Sequence, residues 1–319
     1  MSDGASGPTR LSDSVPARLI QSTGNLYWSS NAGIQSSIYR ASKSSQPGEE
    51  IVLHNEIDPT NETYFGALTF AKVDDEFVGI FVANYSYASE IKLVPLAGGA
   101  SGAAGVLSYP PAAIGPGDLV TDGSFLCWAD GEGIRSMPIG GGPVTTLVAG
   151  TGFQHLSVLG GILYYIDGDG NAIFSVPTGG GTPSNVVGEQ ASPITALYAL
   201  EVQPRAALAE RPGPPIVQDV VLIWGRADGA VYGMLLGETT TYQAPAADTT
   251  VLSVYSTGPR VLWSTQYVGQ EGTQYQVQMA HGGVTTTLSS ENTVQLGGDL
   301  LSDEVAAYWT DAYVEKYTF

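Results

Sequence analysis

The sequence predicts an all-β fold: a seven-bladed β-propeller of four-stranded antiparallel blades, closed by an N-terminal strand that completes the C-terminal blade. Three observations carry this expectation. The chain repeats itself, and each repeat divides into four short apolar runs separated by turn residues. The last repeat stops one run short, while an unmatched run stands at the start.

The repeat is clearest in the middle. "GDLVTDGSFLCWADGEGIRSMPIGGGPVTTLVAG" (117–150) is followed closely by "QHLSVLGGILYYIDGDGNAIFSVPTGGGTPSNVVG" (154–188). Each holds an apolar strand, a turn, and an aromatic strand ending near Trp128 or Tyr165. A second turn, a third strand ending in Met-Pro or Val-Pro, a triple glycine and a fourth strand follow. Short runs at this spacing with Gly-rich turns describe an antiparallel meander. Looser copies place equivalent markers at Trp28, Val82, Trp224, Trp263 and Trp309, with Val82 standing in for a ring. The markers number seven, at spacings close to the roughly 40–50 residues of propeller blades.

A four-stranded sheet cannot bury both faces alone, whereas seven arranged radially bury them against one another. Each marker ring removes on the order of 150–250 Å² from water, so these aromatics are expected in the core between blades.

At the end of the chain, "VEKYTF" aligns with the third strand "IRSMPI", and nothing follows. At its start, "SGPTRLSDS" resembles the fourth strands "GGPVTTLVAG" and "GGVTTTLSS". Residues near 7–12 are therefore expected to add the outer strand of the last blade. The chain reads as one domain, 1–319, with a Pro-rich insertion near 203–219 between the first two strands of the fifth blade.

Composition agrees. Apolar residues make up 43%, enough for a large core, and 41 Gly with 19 Pro suit many turns. Lys and Arg number 12 against 31 Asp and Glu, a net charge of −19. Such a chain lacks the basic footprint that nucleic acid requires and is repelled by anionic membranes. No apolar run approaches the length of a membrane span, so no insertion is expected. The single cysteine, Cys127, excludes an internal disulfide and reads as a buried, inert thiol on a strand. The first residues contain no apolar signal core, so an extracytoplasmic or secreted location is expected only if a signal peptide has been removed. Asn61 in "NET" and Asn84 in "NYS" fit the glycosylation sequon.

"NLYWSSN", "FLCWAD" and "AAYWTD", with the full Tyr-Trp-Thr-Asp motif at 308–311, resemble YWTD-type and NHL-type propeller repeats. The chain looks most similar to Gly-rich versions, in which this motif precedes Val-Pro-x-Gly-Gly-Gly, found in bacterial extracytoplasmic proteins. The resemblance implies the fold. Receptor propellers of the YWTD type have six blades and bind protein ligands, whereas this sequence has seven markers.

Chemistry-bearing residues are few. The histidines are His54, His155 and His281, of which His54 and His281 read as surface residues. Counting back nine residues from the markers gives Leu19, Leu119, Leu156, Val254 and Leu300. The residues before these are Arg18, Asp118, His155, Ser253 and Asp299. If the apolar set faces a neighbouring sheet, this row lines the central channel or its mouth. Asp299 is then expected beside Arg18, and Asp118 beside His155.

The row is suited to a small polar ligand or a divalent cation, with His155, Asp118, Asp299 and Arg18 as candidate catalytic groups. The plainer alternative is hydrogen bonding to innermost strands and water. Asp167, Asp169 and Asn171 in "IDGDGN" have the spacing of a calcium loop's first ligands. Ala172 and Thr178, however, stand where that loop needs Gly and Glu, leaving a polar turn. The Gly runs at 140–142 and 179–181 lack the following Lys-Ser/Thr of a phosphate loop. No cofactor is expected. The function that follows is a monomeric, non-catalytic binding or scaffolding propeller, presenting rim loops to a protein or carbohydrate ligand. The alternative is a lyase or hydrolase with a polar site at the channel mouth, and a structural subunit is a third reading.

Overall fold

The computed structural model describes residues 9–12, 16–22, 24–32, 35–57, 64–73, 76–84, 89–96, 105–108, 119–202, 219–235, 238–244, 246–257, 260–270, 272–291, 299–303, 305–310 and 314–319. Asp118, Asn61 and positions 203–218 of the insertion lie outside the described residues.

Seven four-stranded antiparallel sheets form the molecule. Numbered along the chain, the blades begin with the innermost strands Arg18–Gln21, Tyr64–Val73, Leu119–Thr121, Gln154–Leu159, Ile194–Val202, Thr249–Ser256 and Leu300–Ser302. Each innermost strand packs against those of both neighbouring blades, and blade 7 packs against blade 1, so the ring is closed.

Closure uses both ends of the chain. Thr9–Arg10 pairs antiparallel with Val314–Thr318, with Thr9 opposite Lys316 and Arg10 opposite Glu315. The join continues past the strand: Leu11 N donates to Val314 O (2.8 Å), and Val314 N donates to Ser12 Oγ (3.0 Å). Leu11 and Ser12 are both buried.

The reason for the wedge geometry is visible in the core, which divides into one apolar cluster per blade junction. In the registers, Leu19 lies opposite Trp28, Leu119 opposite Trp128, Val254 opposite Trp263 and Leu300 opposite Trp309. Opposed residues in an antiparallel pair share a face. Each Trp therefore packs, with its partner, against the preceding blade: Trp28 on Tyr308 and Ala306, Trp128 on Ile80 and Val82, Trp309 on Leu262 and Val277. All five Trp are buried. Trp28 and Trp224 also stack on Tyr39 and Tyr232 of their own third strands, at 5.6 Å in each case.

Side chains add polar clamps between blades. Asp122, in the turn after the first strand of blade 3, accepts from Ser124 N and Phe125 N through Oδ1, and from Thr178 Oγ1 of blade 4 through Oδ2 (2.6 Å). Asp303 repeats the arrangement in blade 7. Its Oδ1 accepts from Val305 N and Ala306 N, and its Oδ2 takes Lys43 Nζ of blade 1 (2.8 Å). Burial pushes both carboxyls up, but these hydrogen bonds outweigh it and hold them below the usual range.

One sequence expectation is corrected here. His54 is not a surface residue: it is 8% exposed, stacks on Phe65 (5.8 Å) and lies against Phe81 (5.6 Å), and its Nε2 meets Glu56 Oε1 at 3.1 Å. The rings of Phe65 and Phe81, from blade 2, cover it. Asn84, the asparagine of the second sequon, is 2% exposed, with Oδ1 accepting from Ser89 Oγ (2.6 Å).

Candidate functional site

In an antiparallel blade the first strand's beginning, the turn between strands two and three, and the end of strand four share one face of the disk. We call this the upper face. Residues from all seven innermost strands enclose an axial cavity of about 730 Å³. Arg18, His155, Ser253 and Asp299 all line it, Ser253 from the middle of its strand and the others from the upper starts of theirs. The structure thus gathers four members of the predicted row, and the fifth, Asp118, lies outside the described residues.

Arg18 and Asp299 meet across the junction of blades 1 and 7. Arg18 Nη1 donates to Asp299 Oδ1 at 2.9 Å, while Leu19 N donates to Asp299 Oδ2 at 2.7 Å. Both carboxylate oxygens are thereby engaged, and the side chains are 23% and 19% exposed. Burial pushes the Asp299 carboxyl up, against the opposing pull of Arg18 and the Leu19 amide.

His155 reaches the cavity through a backbone feature that the sequence count did not anticipate. Gln154 pairs with Ile166 and Ser157 with Tyr164, so two residues, His155 and Leu156, oppose one, Tyr165. This is a β-bulge, and His155 adopts φ 52°, a left-handed conformation that costs a non-glycine residue energy. The bulge re-aims the strand so that His155 faces the axial cavity. Burial, and then the positive charge of Arg18, hold its imidazole down at about 4, which leaves it neutral at pH 7. Ser253 shares a hydrogen bond with Ser264, its partner on the next strand, at 2.8 Å between hydroxyl oxygens.

Deeper in, Tyr198 and Tyr255 lie 4.5 Å apart, and Gln21 Nε2 donates to Tyr255 Oη (3.1 Å) and to Ser302 O (2.8 Å). These contacts tie blades 5, 6, 7 and 1 together across the axis below the Arg18–Asp299 pair. Burial and the neighbouring Tyr255 push the Tyr198 hydroxyl well above its ordinary value, so it remains a neutral donor. Tyr198 also lines a second cavity of about 440 Å³, formed by the lower halves of blades 2 to 5.

The upper mouth runs outward. A groove of about 420 Å³ shares Gln154, His155 and Leu252 with the axial cavity and is otherwise lined by Gly152, Gly168, Asp169, Pro193, Thr195 and Thr250 among others. It crosses blades 4 to 6. Beside it the hairpin of blade 6, Arg260–Gly269 and Gly272–His281, extends beyond its neighbours and exposes Tyr267 and Val268.

Asp169 stands at this groove rather than in a calcium loop. Asp167 Oδ1 accepts from Asn171 N (2.9 Å) and Ala172 N (3.1 Å), closing the turn that holds Asp169 outward. Among the described residues, no group of three His, Cys, Asp or Glu is placed to hold a metal ion. Cys127 is fully buried, and burial pushes its thiol up to about 12.

Sequence reasoning missed the groove, because its lining is mostly backbone and small residues from three blades. The "DGN" turn and the long "QYVGQEGTQYQVQ" hairpin were the available signals.

The chain is a seven-bladed β-propeller of four-stranded antiparallel blades. No protein-family model and no curated protein sequence matches it. Solved propellers share the fold at low sequence identity. YCF48 bound to D1 peptide is 8% identical, with a TM-score of 0.63 over 100% of this chain and 96% of that one. YCF48 from Cyanidioschyzon merolae is 12% identical, with a TM-score of 0.59 over 98% and 99%. A chain from a nidogen–laminin complex is 13% identical, with a TM-score of 0.53 over 85% and 93%.

Proposed function

We propose that this propeller is a non-catalytic binding module that receives a protein segment on its upper face, along the groove of blades 4 to 6 and into the axial cavity. The observation that carries the reading is the continuity of groove and cavity through Gln154, His155 and Leu252. A folded domain cannot enter such a trough, but an extended chain can. Gly152 and Gly168 let the two loops of blade 4 that line it pack backbone to backbone, where an added Cβ would meet Gly168 O at 2.9 Å and Thr151 O at 2.5 Å.

Charge favours a basic segment. On this face Arg18, Arg135 and Arg226 are each paired with carboxylates, whereas Asp169, Glu189 and Asp248 have no ion-pair partner among the described residues. With a chain charge of −19, a cationic peptide is attracted at long range, and a neutral glycan gains nothing from this field. The solved propellers similar in fold include one bound to a peptide and one from a protein complex, which is in keeping with a protein partner.

The catalytic alternative is weaker. A neutral His155 is suited to a general base, but the Asp299 carboxylate is already committed to Arg18 and Leu19 N.

Fluorescence anisotropy with a pooled library of Lys- and Arg-containing decapeptides tests the proposal. Wild-type protein is expected to bind, with affinity falling as salt rises, and Asp169→Lys, an exposed change, is expected to weaken binding by about tenfold. Absence of binding to the whole pool, or indifference to Asp169→Lys, counts against the groove.

A further inference from the structure

We infer that the axial cavity is a carboxylate site in which Arg18 holds the ligand's carboxylate group. This rests on the binding reading above and narrows it to ligands that present a free carboxylate: the end of a polypeptide chain, or a small organic acid.

The guanidinium is the starting point. It carries five N–H donors in a planar fork. Among the described residues Asp299 is its one acceptor, and it takes a single hydrogen from Nη1. The remaining donors have no protein partner there, although the side chain is only 23% exposed and lines the cavity. These donors are open to the cavity, so an incoming acceptor can reach them directly. A planar group with two oxygens matches the free edge of the fork best.

Asp299 does not compete for that role. Its second oxygen is occupied by Leu19 N, which fixes the carboxylate against the innermost strand of blade 1. The pair therefore orients Arg18 and leaves the rest of its donor edge free. The positive charge of Arg18 still reaches across the cavity to His155, where it helps keep the imidazole neutral. A neutral imidazole adds a hydrogen-bonding group without adding charge, and Ser253 adds a hydroxyl on the blade 6 side.

The walls strengthen the attraction. Leu19, Leu68, Leu156, Leu252 and Leu300 line the same cavity, above the Tyr198–Tyr255 pair. An ionic hydrogen bond inside such a lining is screened far less than one at the surface. The character of the trough also changes along its length, with acidic residues lacking ion-pair partners at the outer groove and the free donor edge of the Arg18–Asp299 pair at its axial end. A basic segment that terminates in a free carboxylate satisfies both ends.

Calorimetric titration distinguishes the outcomes. The probes are the decapeptide pool with free C-terminal carboxylates, the same pool amidated, and the small acids glutarate and benzoate. For wild-type protein the free-acid pool is expected to bind at least about tenfold more tightly than the amidated pool. Arg18→Gln is expected to make the two pools equal, and its melting curve reports whether the fold is retained. If that variant unfolds, the comparison of the two pools on wild-type protein decides alone.

Equal binding of acid and amide overturns the carboxylate site and leaves the peptide-binding module standing. Arg18-dependent binding of glutarate or benzoate without binding of either peptide pool keeps the carboxylate site and overturns the protein-segment reading. No binding by any probe overturns both.

Discussion

Thr9 and Lys316 are register partners in one sheet, so the two ends of a 319-residue chain share the last blade. Only two residues form the closing strand, yet Leu11 beside it is 4% exposed and packs with Tyr308 and Val314. Leu11→Ala is therefore expected to destabilise the whole ring by about 2–4 kcal/mol, the usual cost of emptying a buried leucine site. Equilibrium denaturation measures it. A change within experimental error would show that the N-terminal strand is dispensable for closure.

The Asp303 clamp joins blade 7 to blade 1 a second time, through Lys43 and through its own turn. Asp303→Ala removes acceptors from two backbone amides and one ammonium group, and a loss of roughly 1–3 kcal/mol is expected. Because hydrogen bonds to the turn and to Lys43 hold this carboxyl low, the stability it contributes is present above the ordinary carboxylate range and is lost as pH falls below it. The gap between wild type and Asp303→Ala should accordingly narrow in acid, and a gap that widens there contradicts the assignment.

His155 makes a different pH prediction. Its folded value, about 4, lies below the ordinary 6.5, so the unfolded chain binds the proton first as pH drops. Stability is then full above pH 6.5 and declines toward pH 4, by up to about 3 kcal/mol. Asn tolerates the left-handed backbone at this bulge. His155→Asn is expected to remove that share of the decline, read by urea denaturation at pH 7 and pH 4.5 relative to wild type. Parallel pH profiles for the two proteins would exclude a buried neutral imidazole.

Two buried tryptophans provide a matched pair. Trp263 Nε1 donates to Gln243 Oε1 (2.6 Å) and Gln278 Oε1 (2.9 Å), whereas Trp128 Nε1 is buried without a partner among the described residues. Replacement by Phe leaves similar space at both sites, but only Trp263→Phe strands two glutamine acceptors. It should cost about 1–2 kcal/mol more than Trp128→Phe in the same denaturation assay. Equal losses would mean that the glutamine contacts contribute nothing net.

The architecture was legible because it is written in repetition. Trp28, Trp128 and Trp309 recur with leucine nine residues upstream, and that spacing alone places each pair on one face of two adjacent strands. The same count put Arg18 and Asp299 at neighbouring upper ends, where they form their ion pair. The His155 bulge was not legible, since an extra residue in a strand leaves the apolar pattern of "QHLSVL" nearly unchanged. His54 was misread because burial of an outer-strand residue depends on Phe65 and Phe81 of the next blade, not on its own segment. The Asp122 and Asp303 clamps were not legible, because their partners Thr178 and Lys43 come from other blades and only the ring brings them together.

Hydrogen exchange with and without the free-acid decapeptide pool tests most directly whether the upper face receives the ligand. Protection is expected at Asp167–Ala172, at Gln154–Leu159 and at the start of Thr249–Ser256, with Arg18–Gln21 slowed at the axis. Protection confined to the lower rim, around Val305 and Phe319, would contradict a binding site at the mouth formed by Arg18, His155 and Asp299.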